Sequence, residues 1–132
     1  MVRLACGRCG AVLTLDWEWG SPEQRDLKAA AGSSPVPEGL LIPLAEDRVP
    51  IREGGRQVDH LYSPEGAVAA NPSSLVPGAL ASSGIDNGCC GSDGMDGPNR
   101  ACLCGQVVAT QWSDCWTWAE IRFLPNAVAE RN

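Results

Sequence analysis

Four cysteines stand in two short knuckles near opposite ends of the chain, Cys6-Gly7-Arg8-Cys9-Gly10 and Cys102-Leu103-Cys104-Gly105. A Cys-x-x-Cys turn and a Cys-x-Cys turn each offer two sulfurs from a few residues of backbone. Together they supply the four thiolates of a tetrahedral Zn²⁺ site. The glycine after each second cysteine lets the backbone turn its amides toward sulfur, and N–H groups on a thiolate stabilise its charge. Both knuckles lead into one pattern, Cys-Gly-x-Val-x-x-x-x-Trp, read from Cys9 to Trp17 and again from Cys104 to Trp112. The expected ligands are therefore Cys6, Cys9, Cys102 and Cys104, with Zn²⁺ as a structural metal. The competing reading of any one of them is a buried apolar thiol.

Three thiols remain, Cys89, Cys90 and Cys115, and His60 is the sole histidine. They could form a second site, or Cys89 or Cys90 could stand in for Cys102. An adjacent pair such as Cys89-Cys90 can also close a strained, easily reduced disulfide, which would be a redox switch. A Cys115–His60 nucleophile pair would need a third orienting group and an oxyanion hole, and nothing in the sequence marks either. Iron–sulfur ligation is disfavoured because the dense cysteine run of small ferredoxins is absent. Copper(I) suits a Cys-x-Cys pair but would want more accessible thiols than a knuckle between strands provides. Asp86, Asn87, Asp93, Asp96 and Asn99 crowd the Gly-rich stretch 84–99. They lack the spacing of a calcium loop and read as Asx turns.

The elements that must position these residues are short. Residues 11–19 alternate, placing Leu13, Leu15, Trp17 and Trp19 on one face, which predicts a half-buried strand. Residues 22–31 predict a short helix with Ser21 as N-cap and Pro22 in its first turn. Leu40–Leu44, Val49–Arg52, Gln57–Tyr62 and Ala67–Ala70 read as strands kept short by prolines. Gln106–Trp112 and Trp116–Leu124 read as a closing hairpin, with a helical or frayed tail beyond Pro125. The Trp17/Trp19 and Trp116/Trp118 pairs serve either core filling or an aromatic platform for a partner.

Composition sets limits on function. The chain has 132 residues, with fifteen Gly and ten Pro against one Phe and one Tyr. So many turn residues raise the entropy lost on folding, which a metal cross-link would help offset. The formal charge is −6, and only one of the ten basic residues is a lysine. Dense positive charge for a phosphate backbone is missing, so nucleic acid is an unexpected partner. An acidic surface suits a basic protein partner. No apolar run approaches the ~18 residues of a membrane span. The chain runs from Met1 into the first knuckle without a charged-then-apolar leader. An odd cysteine number is also unlike a secreted disulfide framework, and the combination reads as cytoplasmic.

The two knuckles resemble the zinc-ribbon class over residues 5–19 and 101–112. That resemblance implies a bound metal and local hairpin geometry, not an activity. A compact ribbon spaces its knuckles by ~15–20 residues, whereas here about ninety intervene. The expectation is a single domain over 1–132, mainly β, small and irregular. It has an N-terminal knuckle and strand (1–19), a long loop-rich insertion (20–100) and a C-terminal knuckle and hairpin (101–125). No phosphate loop, nucleophile elbow or His-Glu-x-x-His helix is present. The expected function is that of a non-enzymatic, zinc-binding protein-interaction or modulator module. The alternative is a thiol-based redox or metal-handling protein.

Overall fold

The computed structural model describes residues 1–45, 48–53, 56–61, 64–85, 88–94 and 96–131, with backbone alone for 48–53 and 56–61. The protein is mainly β, in short strands. β1 (Arg3–Cys6) runs into the first knuckle, β2 (Glu18–Trp19) follows it, and β3 is Leu40–Pro43. β4 (Arg48–Glu53) and β5 (Arg56–Leu61) make an antiparallel hairpin of their own. β6 (Val68–Ala70), β7 (Leu80–Ser82), β8 (Arg100–Cys102), β9 (Val107–Trp112), β10 (Glu120–Phe123) and β11 (Val128–Arg131) complete the order.

Seven strands form one sheet in the order β2-β3-β6-β10-β9-β8-β7. Among the described residues, only the β2–β3 pair is parallel. The long middle segment is thus not an appendage, because it supplies β3, β6 and β7. The strands expected at Leu40–Leu44, Val49–Arg52, Gln57–Tyr62 and Ala67–Ala70 are present within a residue or two. The closing hairpin is present too, with Glu120 opposite Trp112 and Phe123 opposite Ala109, but its second strand begins at Glu120 rather than Trp116, because residues 114–117 form the turn.

Three further expectations need correction. Residues 11–19 do not form one straight strand; they make separate bridges from Val12 to Ala5, Thr14 to Leu75 and Trp17 to Val2. The cause is local. Leu13 N and Thr14 N both donate to Leu4 O, at 2.8 and 3.3 Å, while Leu4 N donates to Thr14 Oγ1 at 2.9 Å. A side-chain oxygen replaces a backbone acceptor and breaks the period of two. Leu13 and Trp17 are buried, whereas Leu15 and Trp19 are 46% and 43% exposed. The helix expected over 22–31 is a single 3₁₀ turn, Pro22–Gln24. It keeps the expected start, with Ser21 N donating to Gln24 Oε1 at 2.7 Å. No apolar face exists to hold a longer helix against the sheet. The tail is neither helical nor frayed: β11 pairs antiparallel with β1, Cys6 opposite Val128 and Arg3 opposite Arg131.

The strand period of two sorts side chains onto two layers. Leu41, Ala70, Ile121 and Phe123 join Val2, Leu4, Leu13, Trp17 and Val108 in the main core, which also contains Cys6 and Cys102. Ile42 and Ala69, one residue out of step, pack with Val36 and Leu44 on the other side. Glu120 and Arg122 alternate with Ile121 and Phe123 and are fully buried too. Arg122 Nε donates to Glu120 Oε2 at 2.9 Å, and Arg25 Nη2 lies 3.6 Å from Glu120 Oε1. The guanidinium groups lie over tryptophans, Arg25 on Trp118 at 5.8 Å and Arg122 on Trp112 at 5.9 Å. Among the described residues, no helix is long and apolar enough to cross a membrane.

Candidate metal centres

The first centre lies where the chain's two ends meet. Gly7 N donates to Ala127 O at 2.9 Å, which fixes the first knuckle to the turn before β11. The second knuckle is the tip of the β8–β9 hairpin, where Cys102 N donates to Gln106 O at 2.8 Å. Cys6, Cys9, Cys102 and Cys104 bring their four sulfurs within 4.8 Å of one another. Cys6 Sγ lies 3.7 Å from Cys104 Sγ, and Cys9 Sγ lies 3.5 Å from Cys102 Sγ. The set is alternately buried and exposed: Cys6 and Cys102 sit in the core, Cys9 and Cys104 at the surface. The structure groups Cys102, and neither Cys89 nor Cys90, with the other three knuckle thiols.

This donor set fits zinc. With Zn–S of about 2.3 Å, the edge of a tetrahedron of sulfurs is about 3.8 Å, close to the two separations seen. All four thiols are free, and the gaps are far longer than a disulfide's ~2.05 Å. Backbone geometry already favours charge on sulfur. Burial alone would raise the Cys6 thiol, but the N–H groups of Cys9 and Arg8, with Cys104 and Cys102 beside it, bring it down to about 7. At Cys102 the Cys104 N–H pulls downward, while burial and the thiols of Cys9, Cys104 and Cys6 push it up to about 11. One knuckle thus offers a thiolate near neutral pH while the other retains a proton that a cation would displace.

A second group is formed by Cys89, Cys90 and Cys115 around Asp114, with all four ligand-type atoms again within 4.8 Å. Cys115 and Asp114 lie in the turn that joins β9 to β10, closed by Thr117 N donating to Asp114 O at 3.3 Å. Cys89 and Cys90 arrive on the Gly-rich loop, which is anchored where Ser113 N donates to Ser92 O at 2.7 Å. A side chain at Gly88 would collide with the Asp114 carboxylate and Gly91 O, and one at Gly91 with Ser113 O. Glycine is needed there because the loop wraps closely around the turn. Cys89 Sγ is 3.0 Å from Cys115 Sγ and 3.4 Å from Cys90 Sγ.

Asp114 was not among the residues expected to matter. It is buried, whereas the three thiols are exposed. Its Oδ1 accepts from Cys90 N and Cys115 N, both at 2.8 Å. Its Oδ2 accepts from Trp116 Nε1 at 2.6 Å and Cys89 N at 3.2 Å. Burial would raise this carboxyl, but the donors from Cys115, Cys90, Trp116 and Cys89 hold it well below the usual carboxylate range. The thiols respond in the opposite sense. Contacts with Cys115, Cys90 and Asp114 push Cys89 up to about 12. At Cys115 the Cys89 contact pulls downward, but Cys90, burial and Asp114 together raise it.

His60 lies on β5 opposite Val49, and its side chain falls outside the described residues, as do Asp86 and Asn87. Asn99 is buried and serves the fold: its Nδ2 donates to Gln111 O at 3.0 Å and its Oδ1 accepts from Gln111 N at 2.8 Å. Of the tryptophans, Trp17, Trp112 and Trp118 are core.

Compared with known proteins, the chain matches no family model, no curated protein and no solved structure.

Proposed function

We propose that this is a small zinc-binding protein in which Cys6, Cys9, Cys102 and Cys104 hold a structural Zn²⁺ and that its work is to present a fixed β surface to a protein partner. The observation that supports the metal is the meeting of two knuckles 93 positions apart with sulfur separations of 3.5 and 3.7 Å. A bound Zn²⁺ would supply cross-linking at that point, joining β1 to the β8–β9 hairpin. Support for a partner comes from the surface. Leu103, at the tip of the second knuckle, is 74% exposed, and the net charge of −6 favours a basic surface opposite. The cytoplasm, where thiols stay reduced, is the compartment that suits these free cysteines.

Metal analysis tests the first half. One tightly held zinc per chain should be lost, together with most of the thermal stability, when Cys9 and Cys102 are replaced by serine. A wild-type protein that melts at the same temperature before and after chelation would overturn it. The second half requires a partner that binds the wild type and is lost on Leu103→Asp without a change in Tm. Equal capture by both would remove that surface from consideration.

The rival reading, a thiol-based redox or metal-handling protein, draws on the exposed Cys89, Cys90 and Cys115. Counting fast-reacting thiols in the metal-loaded protein separates the two. A purely structural role leaves almost none.

A further inference from the structure

The geometry points to a second metal centre of a different kind, in which Cys89, Cys90 and Cys115 hold one Zn²⁺ at the surface and a solvent molecule fills the fourth position. The inference does not depend on the knuckle site. The two centres lie at opposite ends of β9, whose six residues span about 17 Å.

Three thiols from two segments about 25 positions apart converge here, with sulfurs 3.0 and 3.4 Å apart. Nothing in the apolar core requires that convergence, because all three side chains are exposed. It is enforced instead by a buried carboxylate. The backbone N–H of each of the three cysteines ends on Asp114, as does the Trp116 indole. A carboxylate has about four acceptor sites, and four N–H donors fill them. Asp114 therefore orients the thiol-bearing turns, with the Cys89 thiol also 3.4 Å from its Oδ1, and its oxygens are committed to holding the cysteines rather than offered to a cation. It is a positioning residue, and the ligand set is three sulfurs.

Three protein ligands with one open position is the arrangement of zinc sites that exchange ligands, whereas four protein ligands is that of closed structural sites. The knuckle centre is closed and half buried, and this one is open and at the surface. The second ion should therefore be the labile one, able to accept an incoming thiolate or imidazole in place of water. The water leaves as the new ligand's lone pair takes its position, and the metal's oxidation state is unchanged.

The test uses the full chain, reduced and loaded with Zn²⁺ alone, with native mass spectrometry for stoichiometry and a coloured chelator for release. Wild type should carry two ions and release one much faster than the other. The variant Cys89→Ser/Cys90→Ser/Cys115→Ser should carry one, with the fast phase missing and Tm nearly unchanged. Asp114→Asn should keep all three thiols but weaken the second ion by about 10–100-fold, the usual effect of losing an orienting partner. Its slow phase should be unaltered. Wild type and triple variant binding the same number of ions would overturn the proposal, as would recovery of Cys89 and Cys115 as a disulfide that survives treatment with reductant. Failure of the knuckle reading looks different: the slow ion would then be missing from wild type while the triple substitution still abolished the fast one.

Discussion

Gly10 and Gly105 occupy the same place in the two knuckles, each directly after the second cysteine. Both have positive φ, +81° and +97°. Each N–H returns to the carbonyl of its knuckle's first cysteine, Gly10 N to Cys6 O at 2.9 Å and Gly105 N to Cys102 O at 2.8 Å. The equivalence explains why a Cys-x-x-Cys and a Cys-x-Cys turn deliver sulfur to one point. In both, the first cysteine is buried and the second exposed, so the two turns share a pattern of burial as well as of sequence.

Gly105→Ala isolates the backbone part of that relationship. A Cβ there meets nothing within 4 Å, so the substitution tests conformation alone. Holding alanine in the left-handed region costs about 1–2 kcal/mol. The zinc-loaded variant should lose that much stability in denaturant unfolding and bind zinc more weakly. Gly10→Ala should cost somewhat more, because its Cβ would also come 3.2 Å from the Arg131 guanidinium. A Gly105→Ala protein as stable as wild type would mean that the turn does not need its φ.

Zinc loading of the knuckle site should release protons, and the amount should depend on pH. With Cys102 pushed up to about 11, that thiol is protonated at pH 7 and must give up its proton to a cation. With Cys6 at about 7, that thiol is about half ionised at the same pH and contributes about half a proton. Protonation competes with the metal, so affinity should rise from pH 6 to pH 9 and keep rising until Cys102 ionises by itself near pH 11. The stabilisation that zinc confers should correspondingly be lost as pH falls. Titrating zinc into weakly buffered Cys89→Ser/Cys90→Ser/Cys115→Ser protein should show more than one proton released per ion at pH 7 and fewer at pH 8.5. Release that is flat with pH would contradict the half-ionised thiol of Cys6, and release of less than one proton per ion at pH 7 would contradict the proton held on Cys102.

The knuckles were legible in the sequence because their chemistry is local: cysteine, glycine and a repeated Val and Trp at fixed offsets. The strands of the middle segment were legible for the same reason, being bounded by Pro43, Pro64 and Pro72. What was missed depends on distant partners. β11 is polar and exposed along Ala129–Arg131 and becomes a strand only because β1 lies beside it. The alternation of 11–19 placed Leu15 inside, but the Thr14 hydroxyl takes the Leu4 N–H and turns that face outward. Asp114 between a serine and a cysteine looks like an ordinary turn residue. Two of its donors, Cys89 N and Cys90 N, come from a loop 25 and 24 positions earlier, and no spacing rule connects them.

Gly94 should be as restrictive as any position in the Gly-rich loop. Its φ is +68°, and a Cβ there would run into the Trp112 indole at the end of β9. Gly94→Ala must therefore displace either the loop or a fully buried tryptophan. The loop is the easier to move, since it is held by a few hydrogen bonds such as Arg100 Nη2 to Ser92 Oγ at 2.6 Å. The variant should keep the knuckle zinc but lose the convergence of Cys89 and Cys90 on Cys115. Reaction with a bifunctional trivalent arsenical, which needs close thiols, should slow markedly. Unchanged reactivity would show that the loop does not rest on Trp112.

Loss of Glu120 should be costly to the fold. Its side chain is fully buried between Arg122 and Arg25, which are themselves 1% and 3% exposed. Removing one partner of a buried ion pair typically costs about 3–5 kcal/mol, because the remaining charge loses its compensation. Here two guanidinium groups would share that loss, and the stacking on Trp118 and Trp112 is too weak to replace a carboxylate, at about 0.5–2 kcal/mol each. Glu120→Gln preserves the shape and removes only the charge, so it should destabilise by about 3 kcal/mol. Asp16→Asn provides the control. The Arg3–Asp16 pair is 3.1 Å apart but 40% and 58% exposed, and such surface pairs contribute about 0–1 kcal/mol. Urea unfolding of the two variants, both zinc-loaded, should therefore differ by several-fold in free energy lost. Comparable small losses would mean that Arg25 and Arg122 are held by neighbours other than Glu120.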